Sequence, residues 1–223
     1  MNKIKATYEI LSPMNEFSVM MAIKHIERIA RVCYKSEGNI TEDSIESAER
    51  LIRKLIESGH EAMIEHLSIS VLFTVDRGVS HELVRHRLAS FAQESTRYCN
   101  YSKDKFDNNI TVIDLAPGID EENKLTAIQK AQIINIWEDA MLKAEDAYLK
   151  MIEAGATPQI ARSVLPQSTK TDIVVTANLR EWRTIFKLRA DQHAHPQMRE
   201  VMIPLLNDFK EMIPIFFDDI NPK

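Results

Sequence analysis

Residues 85–98 read RHRLASFAQESTRY, which places three arginines, a histidine and two serines within fourteen positions. The chain around this stretch is acidic, with 28 Lys and Arg against 33 Asp and Glu and a formal net charge of −5. A global positive field that would attract nucleic acid is therefore missing, and an anion site must be local. We expect small anionic molecules to bind at this stretch.

Two anion sites follow if the stretch changes its backbone conformation. The pattern from Val79 to Leu88 predicts a helix that carries the Arg-His-Arg run (85–87) near its end. Neighbouring helical side chains point about 100° apart, so these three should serve different ligands. Past Ser90, an extended backbone would place Ser95 and Arg97 on one side, where a hydroxyl and a planar guanidinium suit a phosphate monoester. The alternative is a surface network of ion pairs, which contributes little energy.

Hydrophobic spacing and cap residues predict the elements on either side. The strands are Lys3–Leu11, Leu67–Val75, Ile110–Leu115 and Asp172–Ala177; the helices are one along Val19–Cys33, one from a Thr41 cap to Gly59, one or two within Asp120–Glu153, a short one opened by Thr157, one capped by Asn178 and one over Pro196–Met212. This order is mixed and does not indicate a doubly wound parallel sheet. A length of 223 residues with 44% hydrophobic residues suits a single domain, residues 1–223.

The cysteines and histidines indicate neither a disulfide framework nor a metal site. Cys33 and Cys99 form no paired motif, and no signal peptide or long apolar run is visible, so we expect a cytoplasmic protein with free thiols and with Cys33 in the core. Asp191, His193 and His195 alternate and could present three ligands, but a polar loop is favoured. We therefore predict no metal.

A longer pattern within the opening stretch points to a known family. Arg-His-Arg at 85–87, seven residues and then Ser95 resemble the signature of the flavin-dependent thymidylate synthases. Further landmarks of that family follow in the same order at Ala30–Tyr34, Gly59–His66, Arg162–Pro166, Asn178–Arg180 and Leu188–Ala194. The resemblance spans nearly the whole chain. It implies an α+β fold with a central, mostly antiparallel sheet and packed helices.

The resemblance also implies a reaction. It is the reductive methylation of dUMP to dTMP, with 5,10-methylenetetrahydrofolate as carbon donor, NADPH as reductant and FAD as cofactor. The implied assembly is a homotetramer with shared active sites, whose partners are these small molecules and neither nucleic acid nor a membrane. A nucleotide-binding regulatory or hydrolytic protein without redox chemistry, using the same Arg and Ser donors, is the alternative.

Roles for individual residues follow from the same resemblance. The expected dUMP ligands are Glu82, Arg85, Gln93, Glu94, Ser95, Arg97, Arg162 and Arg189; the expected FAD ligands are His60, Arg85, His86, Arg87, Gln93, Asn178, Arg180 and His193. Arg189 is the expected catalytic residue, since a fixed cation stabilises the N3-deprotonated uracil and enriches C5 in electrons. Three positions depart from the family pattern, namely Ala62 for Ser or Thr, Glu82 for Gln and Thr184 for Asn.

Overall fold

The computed structural model describes residues 1–12, 15–40, 45–103, 106–121 and 124–222. The chain divides into two compact units, each assembled from separated stretches. Unit 1 comprises Met1–Tyr8, Leu72–Arg85 and Phe91–Val174. Unit 2 comprises Glu9–Val71, His86–Ser90 and Val175–Lys223.

Helices outnumber strands among the described residues. The strands are β1 (Asn2–Ile4), β2 (Thr7–Ile10), β3 (Ser68–Asp76), β4 (Ala89–Gln93), β5 (Thr111–Ile113) and β6 (Lys170–Asn178). The helices are α1 (Glu16–Tyr34), α2 (Glu46–Glu57), α3 (Arg77–Leu83), α4 (Ala116–Asp120), α5 (Ala127–Glu153), α6 (Pro158–Ala161), α7 (Leu179–Arg189), α8 (Pro196–Met212) and α9 (Pro214–Phe217). Short 3₁₀ segments cover Glu37–Asn39, Glu61–His66 and Arg162–Val164. In the part of the chain described, no helix has both the length and the apolar character needed to cross a membrane.

The strands form a parallel pair, β1 with β5, and a four-stranded sheet in the order β2-β3-β6-β4. The Ser70 and Thr176 hydroxyls lie 2.7 Å apart, and the Thr74 hydroxyl donates to Asp172 at 2.7 Å. A step of four residues forward on β3 thus meets four residues backward on β6, which is antiparallel pairing. The predicted α+β fold with an antiparallel sheet is confirmed.

An aromatic cluster fixes α7 within unit 2. The Trp182 ring stacks 5.6 Å from the Phe186 ring, and Phe209 of α8 lies within 5.3 Å of both rings by centroid distance. The indole Nε1 of Trp182 donates to the carbonyl of Ile69 at 3.0 Å. Offset and edge-on ring contacts of this kind favour one rotamer for each ring. The polar residues of α7 are therefore held at a defined height and rotation.

The core of unit 1 surrounds two tyrosines. Tyr101 and Tyr148 have ring centroids 5.6 Å apart, and the Tyr148 hydroxyl accepts from the Tyr101 amide at 3.3 Å. Ile110, Val112 and Met141 are buried with them. Cys99 packs against this cluster, and both it and Cys33 are free thiols, as predicted.

The cap residues in the sequence correctly predicted where several elements begin. Asn178 caps α7 by accepting from the Glu181 amide at 2.8 Å, and α8 has the predicted bounds Pro196–Met212. The strand predicted over Lys3–Leu11 is instead two strands, β1 and β2. The predicted Thr41 cap lies outside the described residues.

Two predictions about helices were wrong. α3 ends at Leu83, because the Arg85 amide turns back to the Glu82 carbonyl at 3.2 Å, so residues 85–87 follow the helix and are not part of it. Cys33 is exposed and outside the core. The last turns of α1 bury Arg31 instead, whose Nε donates to Glu27 at 2.8 Å.

Candidate active site

The backbone of unit 1 turns at Ser95. β4 ends at Gln93, and the Glu94 amide still donates to the Asp172 carbonyl at 2.8 Å. The Ser95 carbonyl then accepts from the amides of Tyr98 and Cys99, both at 3.0 Å. The extended backbone predicted past Ser90 therefore stops before Ser95.

This turn lies beside α6 and brings two arginines together. Arg97 donates through Nε to the side-chain carbonyl of Gln159 at 3.0 Å, and Arg162 Nη1 lies 3.5 Å from the Thr96 hydroxyl. Both arginines are exposed residues. The Ser95 hydroxyl lies 3.4 Å from the Arg97 amide, on the same turn. Two planar cations and a hydroxyl suit a phosphate group.

Gln93 directs its amide group into unit 1. Its Nε2 donates to the Ser80 hydroxyl at 2.9 Å and to the Thr171 hydroxyl at 3.2 Å. Both N–H groups are therefore engaged by the protein. A ligand that contacts this side chain would meet its carbonyl oxygen.

Glu94 is held by an ion pair beside a cavity of about 440 Å³. Its carboxylate accepts from the Tyr101 hydroxyl at 3.0 Å and from Lys170 Nζ at 3.1 Å. Burial lowers the pKa of Lys170, but the bonds and charges of Asp172 and Glu94 outweigh burial and raise the pKa overall. Burial, then the Glu94 charge, raise the pKa of Tyr101. The lysine is thus a cation and the phenol is neutral at pH 7.

At the end of α3, Glu82 and Arg85 share the turn described above. The Glu82 carbonyl accepts from the Arg85 amide, and the Arg85 side chain is exposed. Both predicted dUMP ligands therefore lie at one helix end in unit 1.

In unit 2, His86 connects a carboxylate to a guanidinium. Its ring is 7% exposed, with Nδ1 3.2 Å from Glu181 Oε1 and Nε2 accepting from Arg189 Nε at 3.2 Å. Burial, and then the positive charge of Arg189, lower the pKa of His86 to about 4. The imidazole is therefore neutral near pH 7, and its contact with Glu181 is a hydrogen bond, not an ion pair. Burial raises the pKa of Glu181, which the charge of Arg180 partly opposes.

A polar cavity of about 370 Å³ lies in the same unit. Arg87, Ser90 and Asn178 line it, together with Thr176. Arg180 Nη1 donates to Glu65, another lining residue, at 2.5 Å. Arg87 is exposed, whereas the Arg180 charge already has a carboxylate partner.

The remaining predicted histidines have separate surroundings. His60 is exposed beside a cavity of about 250 Å³, with Nδ1 3.4 Å from the Tyr34 hydroxyl. His193 is exposed, with Nδ1 2.6 Å from Asp191. His195 accepts from the Gln197 amide and so caps α8. Among the described residues, no cluster of three or more His, Cys, Asp or Glu could hold a metal ion.

Comparison with known proteins identifies the family. The model of the family described as "Thymidylate synthase complementing protein" matches residues 18–215. The flavin-dependent thymidylate synthase of Geobacter sulfurreducens is 32% identical over 197 residues, which cover 86% of this chain and 79% of the relative. Those of Mycobacterium sp. (strain JLS) and Mycobacteroides abscessus are 34% and 30% identical, covering 87% and 88% of this chain and 78% of each relative.

The chain belongs to the flavin-dependent thymidylate synthase family.

The segment that matches the thymidylate synthase family contains every predicted site residue, from His60 to His193. The structure shows where two of the residues that depart from the family pattern lie. Ala62 is exposed in the 3₁₀ segment, and the Thr184 hydroxyl donates to the Arg180 carbonyl of its own helix at 3.2 Å.

Sequence reasoning missed several residues that hold the predicted site residues in place. Gln159 holds Arg97 across 62 positions and Lys170 holds Glu94 across 76, whereas Tyr101 bonds Glu94 across only seven. No local sequence pattern marks any of the three. Glu181 carried a signal, since Asn-x-x-Glu at 178–181 is a capping-box pattern that draws attention to its carboxylate.

Proposed function

We propose that this chain is an FAD-dependent thymidylate synthase that converts dUMP to dTMP. The carbon donor is 5,10-methylenetetrahydrofolate and the reductant is NADPH. The main support for the proposal is the family match over residues 18–215, a segment that includes the Arg-His-Arg and Ser95 signature. Uracil C5 loses a proton and gains the folate methylene, whose two bonds to the folate nitrogens N5 and N10 both break. The two nitrogens gain two protons, one equivalent to the proton lost by C5 and one from solvent. A hydride from NADPH completes the methyl group, so tetrahydrofolate and NADP⁺ leave.

The turn of unit 1 is the proposed phosphate site. Arg97 and Arg162 would bind the dUMP phosphate by charge-assisted hydrogen bonds, and the Ser95 hydroxyl would add a donor. Their protein partners, Gln159 and Thr96, are neutral and do not cancel the two positive charges. Glu82, Arg85, Gln93 and Glu94 are the remaining proposed dUMP ligands of this unit.

Arg189 is the proposed catalytic residue. Its guanidinium would hold the deprotonated uracil ring, and the fixed charge would stabilise electron density at C5. Arginine suits this role because it cannot lose its proton at neutral pH and presents a planar set of donors. The bond from Nε to His86 fixes the plane of that set.

The donor set of unit 2 fits FAD. Arg87 offers a cation for a phosphate, and Ser90, Thr176 and Asn178 offer hydroxyl and amide groups, in a cavity whose volume lies in the range of ligand sites, about 300–1,000 Å³. Bound FAD would pass the hydride to the transferred carbon. The proposed FAD ligands are His60, Arg85, His86, Arg87, Gln93, Asn178, Arg180 and His193. Of these, Arg180 would have to exchange its bond to Glu65, and His86 would act from a buried position.

The proposal includes a single family domain in a cytoplasmic homotetramer with shared active sites. Free Cys33 and Cys99 agree with a reducing compartment. Light scattering should give the mass of four chains of 25.6 kDa, and a monomer would contradict the assembly.

The test is an anaerobic assay of the FAD-loaded protein with NADPH, dUMP and 5,10-methylenetetrahydrofolate. We expect dTMP to form and to require each component. Folded, FAD-loaded protein that makes no dTMP would overturn the proposal. Hydrolysis of dUMP without NADPH would favour the alternative, a hydrolytic nucleotide-binding protein.

Arg189→Lys tests the catalytic role within this assay. The charge remains but the planar donor set is lost, so we expect kcat to fall by about 10² to 10³ with FAD content unchanged. Turnover is measured by dTMP formation and FAD content by absorbance. A kcat near that of the wild type would remove Arg189 from catalysis.

A further inference from the structure

Glu181 is a buried carboxylate, 8% exposed, in the first turn of α7. We propose that Glu181 is a positioning residue: its carboxylate keeps the ring hydrogen of His86 on Nδ1, so that Nε2 remains the acceptor that holds the Arg189 guanidinium. The inference rests on the proposed function, because the value of a fixed Arg189 depends on its role toward uracil.

The two ring nitrogens of His86 must play different hydrogen-bonding roles. A neutral ring has one donor and one acceptor nitrogen. Arg189 Nε carries a hydrogen and points at His86 Nε2 across 3.2 Å, so Nε2 must offer its lone pair. The opposite tautomer would set two N–H groups against each other. The bond to Arg189 therefore requires the hydrogen on Nδ1.

Glu181 supplies the condition for that tautomer. An ionised carboxylate is an acceptor only, and Oε1 lies 3.2 Å from His86 Nδ1. Hydrogen on Nδ1 satisfies both contacts at once, whereas hydrogen on Nε2 satisfies neither. Burial of His86 makes the difference matter, since water cannot easily replace a lost partner at a ring that is 7% exposed.

The Glu181 side chain does not make the hydrogen bond that is usual for its position in the first turn of a helix. In a capping box the side chain at this position returns to the amide of the cap residue. Here the Glu181 amide donates to Asn178, but its carboxylate turns to His86. The first turn of a helix also favours a negative charge, which helps to keep this buried group ionised.

Glu27 provides a matched control in the same unit. It is 1% exposed and accepts from Arg31 Nε at 2.8 Å, so its loss also removes a buried carboxylate. It is not among the proposed ligands. A general loss of stability should therefore appear in Glu27→Ala as well, whereas an effect on His86 and Arg189 should not.

The experiment combines nitrogen NMR with steady-state kinetics. Protein labelled with ¹⁵N-histidine is measured by solid-state NMR, and the His86 signals are assigned by their absence in His86→Gln. We expect hydrogen on Nδ1 in the wild type and in Glu181→Gln, whose amide oxygen still accepts, and a shift toward Nε2 in Glu181→Ala. We expect kcat to fall by about 100-fold in Glu181→Ala, as for a small misplacement of a catalytic group, and to stay within about threefold in Glu181→Gln.

Several results would overturn the positioning role. Hydrogen on Nε2 in the wild type would do so without any variant, even if Glu181→Ala failed to fold. An unchanged tautomer and kcat in Glu181→Ala, or an equal loss of kcat in Glu27→Ala, would also do so. Absence of dTMP in the wild type would instead contradict the proposed function, because the tautomer is measured without turnover.

Discussion

Arg97 and Arg162 of unit 1 differ from Arg183 of unit 2 in the partners that hold them. In unit 1, Arg97 bonds the Gln159 amide oxygen and Arg162 lies beside the Thr96 hydroxyl, so both cations have neutral partners and are exposed. In unit 2, Arg183 is 1% exposed and is bound by carboxylates. A carboxylate partner cancels most of the field of a guanidinium, whereas a neutral partner leaves it to attract an anion. The partner, more than the arginine itself, separates a binding role from a structural one.

Arg183 illustrates the structural role. It donates to Glu61 at 3.1 Å and through two nitrogens to Asp219 at 2.7 Å, and it also bonds the Phe216 carbonyl. These contacts tie α7 to the 3₁₀ segment after His60 and to the end of the chain. Burial acts against the charge of Arg183, but the bonds to Asp219 and Glu61 outweigh burial and raise the pKa overall.

Arg183→Ala should give the largest effect on stability. Arg183 is buried, but Asp219 is half exposed, so the free energy of unfolding should fall by somewhat less than breaking a fully buried pair costs, about 2–4 kcal/mol. Urea unfolding followed by circular dichroism measures it. Arg53→Ala is the control, because Arg53 pairs with Asp218 at 3.5 Å on the surface, and such pairs contribute about 0–1 kcal/mol. Equal losses in the two variants would contradict the structural role of Arg183.

Arg162→Ala should weaken nucleotide binding with little change in stability. A charge-assisted hydrogen bond contributes about 2 kcal/mol, so the Kd for dUMP should rise about 30-fold. Calorimetric titration measures the Kd. Lys143→Ala removes an exposed cation from the same unit and should leave the Kd unchanged. A similar rise in both variants would indicate a general charge effect.

The acid side of the stability profile should show His86. The pKa of His86 in the folded chain, about 4, lies below its ordinary value of 6.5. Between pH 6.5 and 4, the unfolded chain therefore binds a proton at His86 that the folded chain does not bind. Stability should therefore fall as the pH drops from about 6.5 to 4, with His86 contributing up to about 1.4 kcal/mol per pH unit. Urea unfolding of the wild type and His86→Gln from pH 7.5 to 4.5 measures this slope. Parallel profiles would contradict the low pKa.

Glu65→Gln should have the smallest effect, because it removes one of two carboxylates beside Arg180 and leaves Glu61 Oε2 3.8 Å from Arg180 Nε. Because the pair is exposed, stability should change by less than about 1 kcal/mol. FAD affinity should rise about threefold, since the Arg180 charge is then compensated by Glu61 alone. Fluorescence titration measures it, with Glu57→Gln as a control of equal charge. Weaker FAD binding would show that Glu65 supports the cofactor site.

Helix ends that depend on a neighbouring cap or turn residue could be predicted from the sequence. Asn178 as a cap, Gly59 after α2 and Pro196 at the start of α8 were readable because cap and turn residues act on their immediate neighbours. The end of α3 was not readable, since no glycine or proline stops it. His86 is instead fixed by Glu181, 95 positions along the chain.

The family resemblance indicated the candidate ligands, but it did not indicate the residues that hold their side chains in place. The resemblance to the family implied roles for Arg97, Arg162 and Arg189, and these roles remain predictions. Gln159 accepts from Arg97 and Glu181 contacts His86, each from another segment, and many side chains could offer the same acceptor oxygen. The turn at Ser95 likewise depends on backbone bonds that side-chain patterns do not encode.

The central claim is that cations with neutral partners in unit 1 bind the phosphate of the nucleotide. The most direct measurement is the affinity of the wild type and Arg97→Ala for dUMP and for deoxyuridine, which lacks the phosphate. The variant should bind dUMP about 30-fold more weakly and deoxyuridine within about threefold of the wild type. An equal loss for both ligands would contradict the claim, because Arg97 would then act on the nucleoside or on the fold.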